Sequence, residues 1–159
     1  MHSRIFQLSK KPISESEYMQ VSDYYEHWFT NEIADSIDES DRYNDIQWLQ
    51  FEYSEGIICG EDDSGYYIVV KNKENLFTAK FESFKRYIND LQKASLDDFI
   101  NSRTISAKMY QLQESYNDKF AFWVVLKDEY NSVLTFDEFI RYCETDIKYY
   151  IGNTIDYHY

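Results

Sequence analysis

The sequence predicts an α+β fold, a mostly antiparallel sheet of about five to six strands packed with about five helices. Three observations carry that expectation. Apolar residues recur at helical spacing in some segments and alternate in short runs in others. Turn residues sit where one periodicity gives way to the other. The 159 residues, 43% hydrophobic and 19% aromatic, suffice for one core, and 4 Gly and 1 Pro leave no linker-like stretch, so 1–159 reads as a single acidic domain.

Arg4 to Leu8 reads as a first strand, with Pro12 marking the turn after it. Ser22 caps a helix carrying Tyr24, Tyr25, Trp28 and Phe29, and Ser40 opens a second with Ile46, Leu49 and Tyr53. Ile57 to Cys59 and Tyr66 to Val70 flank the acidic loop Gly60 to Gly65 as an antiparallel hairpin. Glu74 to Lys93 places Phe77, Phe81, Phe84, Ile88 and Leu91 on one stripe, predicting a helix packed on the sheet. Leu96, Phe99 and Ile100 suggest a short helix, and Ile105, Met109, Leu112 and Tyr116 another. Phe120 to Leu126, apolar on both sides, suits an internal strand. Thr135 with Glu138 forms a capping box, and Ile147 to Ile151 with Thr154 to Tyr157 reads as a closing hairpin turning at Gly152-Asn153.

The net charge is −13, and almost all of the excess lies in one third of the chain. Residues 14–65 hold fifteen acids against Arg42 alone, whereas residues 66–159 hold fourteen acids and twelve bases. Two readings compete. A solvated face keeps the protein soluble; a steering surface draws a basic partner. With Ile33 to Trp48 partly helical, Asp35, Asp38 and Glu39 form one ridge and Asp41 with Asp45 another, rows that imitate spaced phosphates. The candidate partner-binding residues are therefore Asp23, Glu26, Glu32, Asp35, Asp38, Glu39, Asp41 and Asp45, with the aromatic anchors Tyr24, Tyr25, Trp28 and Tyr43.

Chemistry leaves little trace. His2, His27 and His158 lie in no zinc pattern, and GxxxxGK[ST], GxGxxG and GxSxG do not occur, so no catalytic residues, metal or cofactor are expected. His27 beside Glu26 suits a packed or rim residue better than a general base. The Gly60 to Gly65 loop lacks the twelve-residue ligand ladder of a calcium hand. Cys59 and Cys143 are expected as reduced thiols, and no leader or membrane span is apparent, which points to the cytoplasm. Direct nucleic-acid binding is not expected, because the bases are outnumbered and scattered.

In charge, size and aromatic content the chain resembles two classes of small acidic inhibitor. These are the DNA mimics that phages and mobile elements direct against restriction or CRISPR nucleases, and the immunity proteins that neutralise nuclease toxins. Ser3 to Gln7, Ile33-Ala34-Asp35 and Tyr150 to Tyr159 also resemble uncharacterised proteins of Firmicutes mobile elements. The resemblance implies a non-enzymatic inhibitor that occupies the basic cleft of a nuclease or other nucleic-acid-binding enzyme. An immunity protein is the nearest alternative, and a small hydrolase with a dispersed site the alternative from another class.

Overall fold

The computed structural model describes residues 1–159. Seven strands form one sheet: β1 (His2–Ser9), β2 (Ser36–Glu39), β3 (Ile57–Asp62), β4 (Gly65–Val70), β5 (Trp123–Leu126), β6 (Ser132–Thr135) and β7 (Lys148–His158). The six helices are α1 (Trp28–Glu32), α2 (Arg42–Glu52), α3 (Lys73–Gln92), α4 (Leu96–Asn101), α5 (Thr104–Tyr116) and α6 (Phe136–Tyr142). The strand order is β3-β4-β7-β1-β5-β6, with β2 pairing a separate stretch of β7. Only β1 and β5 run parallel; every other pair is antiparallel. The α+β class with a mostly antiparallel sheet is thus present.

The closing hairpin is not. Residues 148–158 form one continuous strand, because Gly152 and Asn153 make a bulge instead of a turn. Neither residue has the positive φ that a tight two-residue hairpin turn requires. Across the bulge the pairing steps from Leu8–Ile151 to Phe6–Thr154, so β7 holds one residue more than β1 and its side chains change faces. Tyr149 and Ile151 enter one core, while Ile155 and Tyr157 enter the other.

Buried Gln7 fixes this arrangement. Its Oε1 accepts from Asn153 N at 3.2 Å and Met19 N at 3.1 Å, and its Nε2 donates to Glu17 O at 2.9 Å. Asn153 Nδ2 adds a bond to Met19 O at 2.9 Å. Segment 17–19 is thereby tied down over the second face.

Phe6, Leu8, Val124, Leu126 and Ile151 make the floor of the first core, covered by Ile46 and Leu49 of α2 and by Phe136, Phe139 and Ile140 of α6. Ile5, Trp123, Val125, Ile155 and Tyr157 make the second, covered by Met19, Tyr24, Phe29 and Ala34. That cover is less regular than the helix expected from Ser22. A 3₁₀ turn spans Val21–Tyr24, and α1 begins only at Trp28, with His27 as its cap. Ser36 to Glu39 is extended, since the exposed edge of β7 supplies backbone partners: Asp35 N donates to His158 O at 2.8 Å, and Ile37 lies opposite Tyr157. The expected helical ridge of Asp35, Asp38 and Glu39 is therefore a bend at Asp35 followed by a strand, and Asp38 and Glu39 point to opposite sides of that strand. α2 starts after Asp41, which accepts from Tyr43 N and Asn44 N, and not after Ser40.

α3 also departs from expectation. Only its first turns, through Leu76 and Phe77, reach the first core; the remainder packs against α5. No residue of α3, α4 or α5 is buried, so residues 73–116 form an arm on that side of the sheet. Arg141 of α6 holds its base, with the guanidinium 4.8 Å from the Phe77 ring centre and 4.2 Å from that of Tyr116. Lys80 Nζ adds an ion pair to buried Asp137 at 2.5 Å.

A Cβ at position 152 would lie 2.2 Å from Gln7 Oε1 and 3.0 Å from Ile13 Cδ1. Gln7 cannot withdraw without breaking its bonds, so Gly152→Ala is expected to cost ~1–3 kcal/mol. Urea unfolding reads this as a lower midpoint with an unchanged slope.

Candidate functional site

The acidic segment falls into two groups once folded. Asp23, Glu26, Glu32, Asp35, Asp38, Glu39 and Asp41 are all exposed. They follow the layer over the second core, then β2, then the cap of α2. Tyr25, Tyr43 and Trp28 stand among them, 72%, 57% and 41% exposed. None of the seven carboxylates has a Lys or Arg within 4.0 Å; Asp35 alone has a cationic candidate nearby, His158 Nδ1 at 4.0 Å. Unpaired surface charge of one sign produces a field that reaches about a Debye length, ~8–10 Å at ordinary salt.

Two of the predicted contact residues do not belong there. Asp45 is 3% exposed, accepting from Arg4 Nε at 2.5 Å and from Thr154 Oγ1 at 2.6 Å. Arg4 also pairs with Asp156, so Asp45 serves a buried ion cluster and not a partner. Tyr24 is 4% exposed, its hydroxyl donating to Met19 Sδ at 3.6 Å, and burial pushes its phenol upward from the ordinary value. It fills the second core while its neighbour Tyr25 faces solvent.

Some of the exposed acids also have local work. Asp41 caps α2, and Asp23 accepts from Gln20 N at 2.8 Å. Asp38 and Glu39 sit on β2, whose outer edge has no strand partner, and charge on such an edge discourages chain-to-chain pairing. Glu26, Glu32 and Asp35 accept no hydrogen bond within the chain, leaving them with no local structural duty.

His27 is absorbed into the fold, its Nδ1 accepting from Phe29 N at 3.2 Å as the cap of α1. No group of three or more His, Cys, Asp or Glu side chains is placed to hold a metal ion. Both thiols are pushed up by burial, Cys59 to about 12, which keeps them protonated and poorly nucleophilic near neutral pH.

One titratable pair escaped the sequence reading. Glu114, near the end of α5, has its carboxyl pushed up to about 7 by burial and by its hydrogen bond to Asp118. The spacing of four residues at a helix end was the available signal. The side chain borders a groove of about 370 Å³ with Lys80, Tyr87 and Tyr110. Such a carboxyl exchanges a proton near neutral pH, but the neighbouring cation, Lys80, is already held by Asp137.

No family model, curated protein or solved structure matches the chain.

Because the folded state raises the Glu114 pKa above its unfolded value, the native protein holds the extra proton between about pH 4.5 and 7. Its stability falls as pH rises through that window. Glu114→Gln is expected to remove that part of the decline, matching the parent near pH 4 and exceeding it at pH 8. Urea melts at the two pH values check this, and equal losses in parent and variant would refute it.

Proposed function

We propose that the chain is a non-enzymatic protein inhibitor whose acidic face enters the basic cleft of a nucleic-acid enzyme. One observation carries the reading. Seven exposed carboxylates without Lys or Arg partners lie along one covering layer, one free edge strand and the cap of α2, interleaved with three exposed aromatic side chains. Desolvating unpaired carboxylates is costly, and lysines and arginines arrayed to hold phosphates would repay it. Tyr25, Tyr43 and Trp28 offer the rigid, amphipathic contact area on which tight protein interfaces depend. The carboxylate spacing comes from turn, strand and cap together. Alternate residues of a strand lie ~7 Å apart, so the array is wider than a helix ridge would make it.

The test replaces charge without touching the fold. Asp35→Asn, Asp38→Asn, Glu39→Gln and Asp41→Asn are combined; Asn at position 41 still caps α2. The variant should melt within ~0.5 kcal/mol of the parent, as exposed substitutions do. Pull-downs from a lysate of the source cells at low and moderate salt, read by mass spectrometry, should recover a basic nucleic-acid enzyme with the parent. Affinity for that enzyme should fall roughly ten- to a hundredfold in the variant, mainly through association rate. Unchanged binding by the variant would make the acidic segment a solvated face.

A further inference from the structure

We propose that the α3–α5 arm is a dimerisation surface, with the arms of two copies pairing antiparallel so that α4 of each seats against the base of the other. The first observation is a seam left half covered. Phe77, Phe81, Phe84, Ile88 and Leu91 of α3 follow steps of four and three, as do Ile105, Met109, Leu112 and Tyr116 of α5. That is coiled-coil spacing, and it places each apolar row on a line meant for burial. Two helices alone cannot close it. Phe81, Met109 and Tyr116 remain 56%, 59% and 55% exposed, and Leu96, Phe99 and Ile100 at the tip 74%, 73% and 67%. Exposed apolar side chains gathered on one arm are what an interface would bury. Two such hairpins together make a four-helix arrangement that buries both rows.

Charge selects a second copy as the occupant. Residues 73–116 hold seven bases and six acids, net +1, while the other residues carry the entire excess of −14. Two copies meeting body to body would oppose like charges; arm against arm they do not. The ends of the arm are also complementary. At its base, Phe77, Phe81 and Phe84 line a groove of about 270 Å³ together with Arg141, whose Nη1 is buried without a hydrogen-bond partner. At its tip, Leu96-Asp97-Asp98-Phe99-Ile100 presents apolar side chains beside carboxylates. α3 is ~30 Å long, so antiparallel arms bring each tip to the other's base. Asp97 offers an acceptor for the spare guanidinium nitrogen through its Oδ2, since its Oδ1 accepts from Asn101 Nδ2 at 2.7 Å and Asp98 is engaged in capping α4.

Sedimentation equilibrium of the full chain across micromolar to several hundred micromolar concentrations tests this. A reversible monomer–dimer equilibrium is expected, strengthened by added salt, because screening relieves the repulsion between the acidic bodies. Phe99→Ser with Ile100→Ser alters exposed tip residues only and should weaken dimerisation at least tenfold with the melting temperature held. Phe81→Ser should do the same from the base. Phe99→Cys in one copy should crosslink to Phe81→Cys in another, in a background with Cys59 and Cys143 changed to Ser. A monomer at every concentration overturns the proposal, as does a dimer insensitive to both sets of substitutions. A monomer that floats with phosphatidylglycerol vesicles would assign the arm to a lipid surface and overturn it equally.

Discussion

The bulge at Gly152-Asn153 is the constraint on which the rest of the structure depends. β7 carries apolar residues at every odd position but Asn153, and a regular strand would send Tyr149, Ile151, Ile155 and Tyr157 to one face. One extra residue divides them between two cores. The same shift turns Asp156 toward Arg4 and Asp45, and turns Thr154 toward Asp45, completing the buried ion cluster. Arg42 closes the joint from α2, donating to Gly152 O at 2.7 Å and to Tyr18 Oη at 2.6 Å. Sheet, helix and covering layer therefore meet at one backbone irregularity. Loosening it frees the layer that carries the exposed carboxylates.

The concentration of acid in residues 14–65 is tolerated because its members do different things. Glu17 is drawn down to about 2 by hydrogen bonds from Lys127 and from Ser14. Asp62 is held below its ordinary value by Lys148 and the Ser64 amide. Asp41 and Asp23 complete local turns, and Asp45 is dry but paired. Dry ion pairs add little net stability once desolvation is counted, yet removing one partner is costly, so Arg4 and Asp45 act mainly to fix geometry. The carboxylates left over face water, where their mutual repulsion is the term a basic partner would relieve.

Much of the fold was legible because local chemistry and tertiary context agree. The α3 helix itself, the Thr135-Glu138 capping box and the β3–β4 hairpin around Gly65, at φ 121°, all stand as local signals imply. The failures lie where a distant partner decides. β2 has no alternation of its own and exists because β7 leaves an edge to pair. β6 follows two left-handed residues, Tyr130 and Asn131, and tyrosine is not a residue that advertises such a turn. Gly152-Asn153 has the composition of a hairpin turn, and partners far away in sequence, Gln7, Met19 and Arg42, hold it as a bulge. The same holds at the acidic face: seven of eight acids are exposed as expected, but nothing local separates Tyr24 from Tyr25 or Asp45 from Asp41.

The two unpartnered surfaces differ in physics. The exposed acids run from the layer over the second core along β2 to the cap of α2, and the arm springs from the first core. Apolar contact is insensitive to salt in its driving force and demands shape; charge acts at a distance, tolerates misfit and fades with salt. On the proposed pairing, two copies joined through their arms would leave both acidic segments outside the contact. Two such faces on one rigid particle bind a target that offers two basic sites far more tightly than one face would, through effective concentration and with no new contact. They gain nothing on a target with a single cleft. Under the proposed function, the spacing of basic sites on the target, as well as their charge, would then decide which enzymes such an inhibitor restrains.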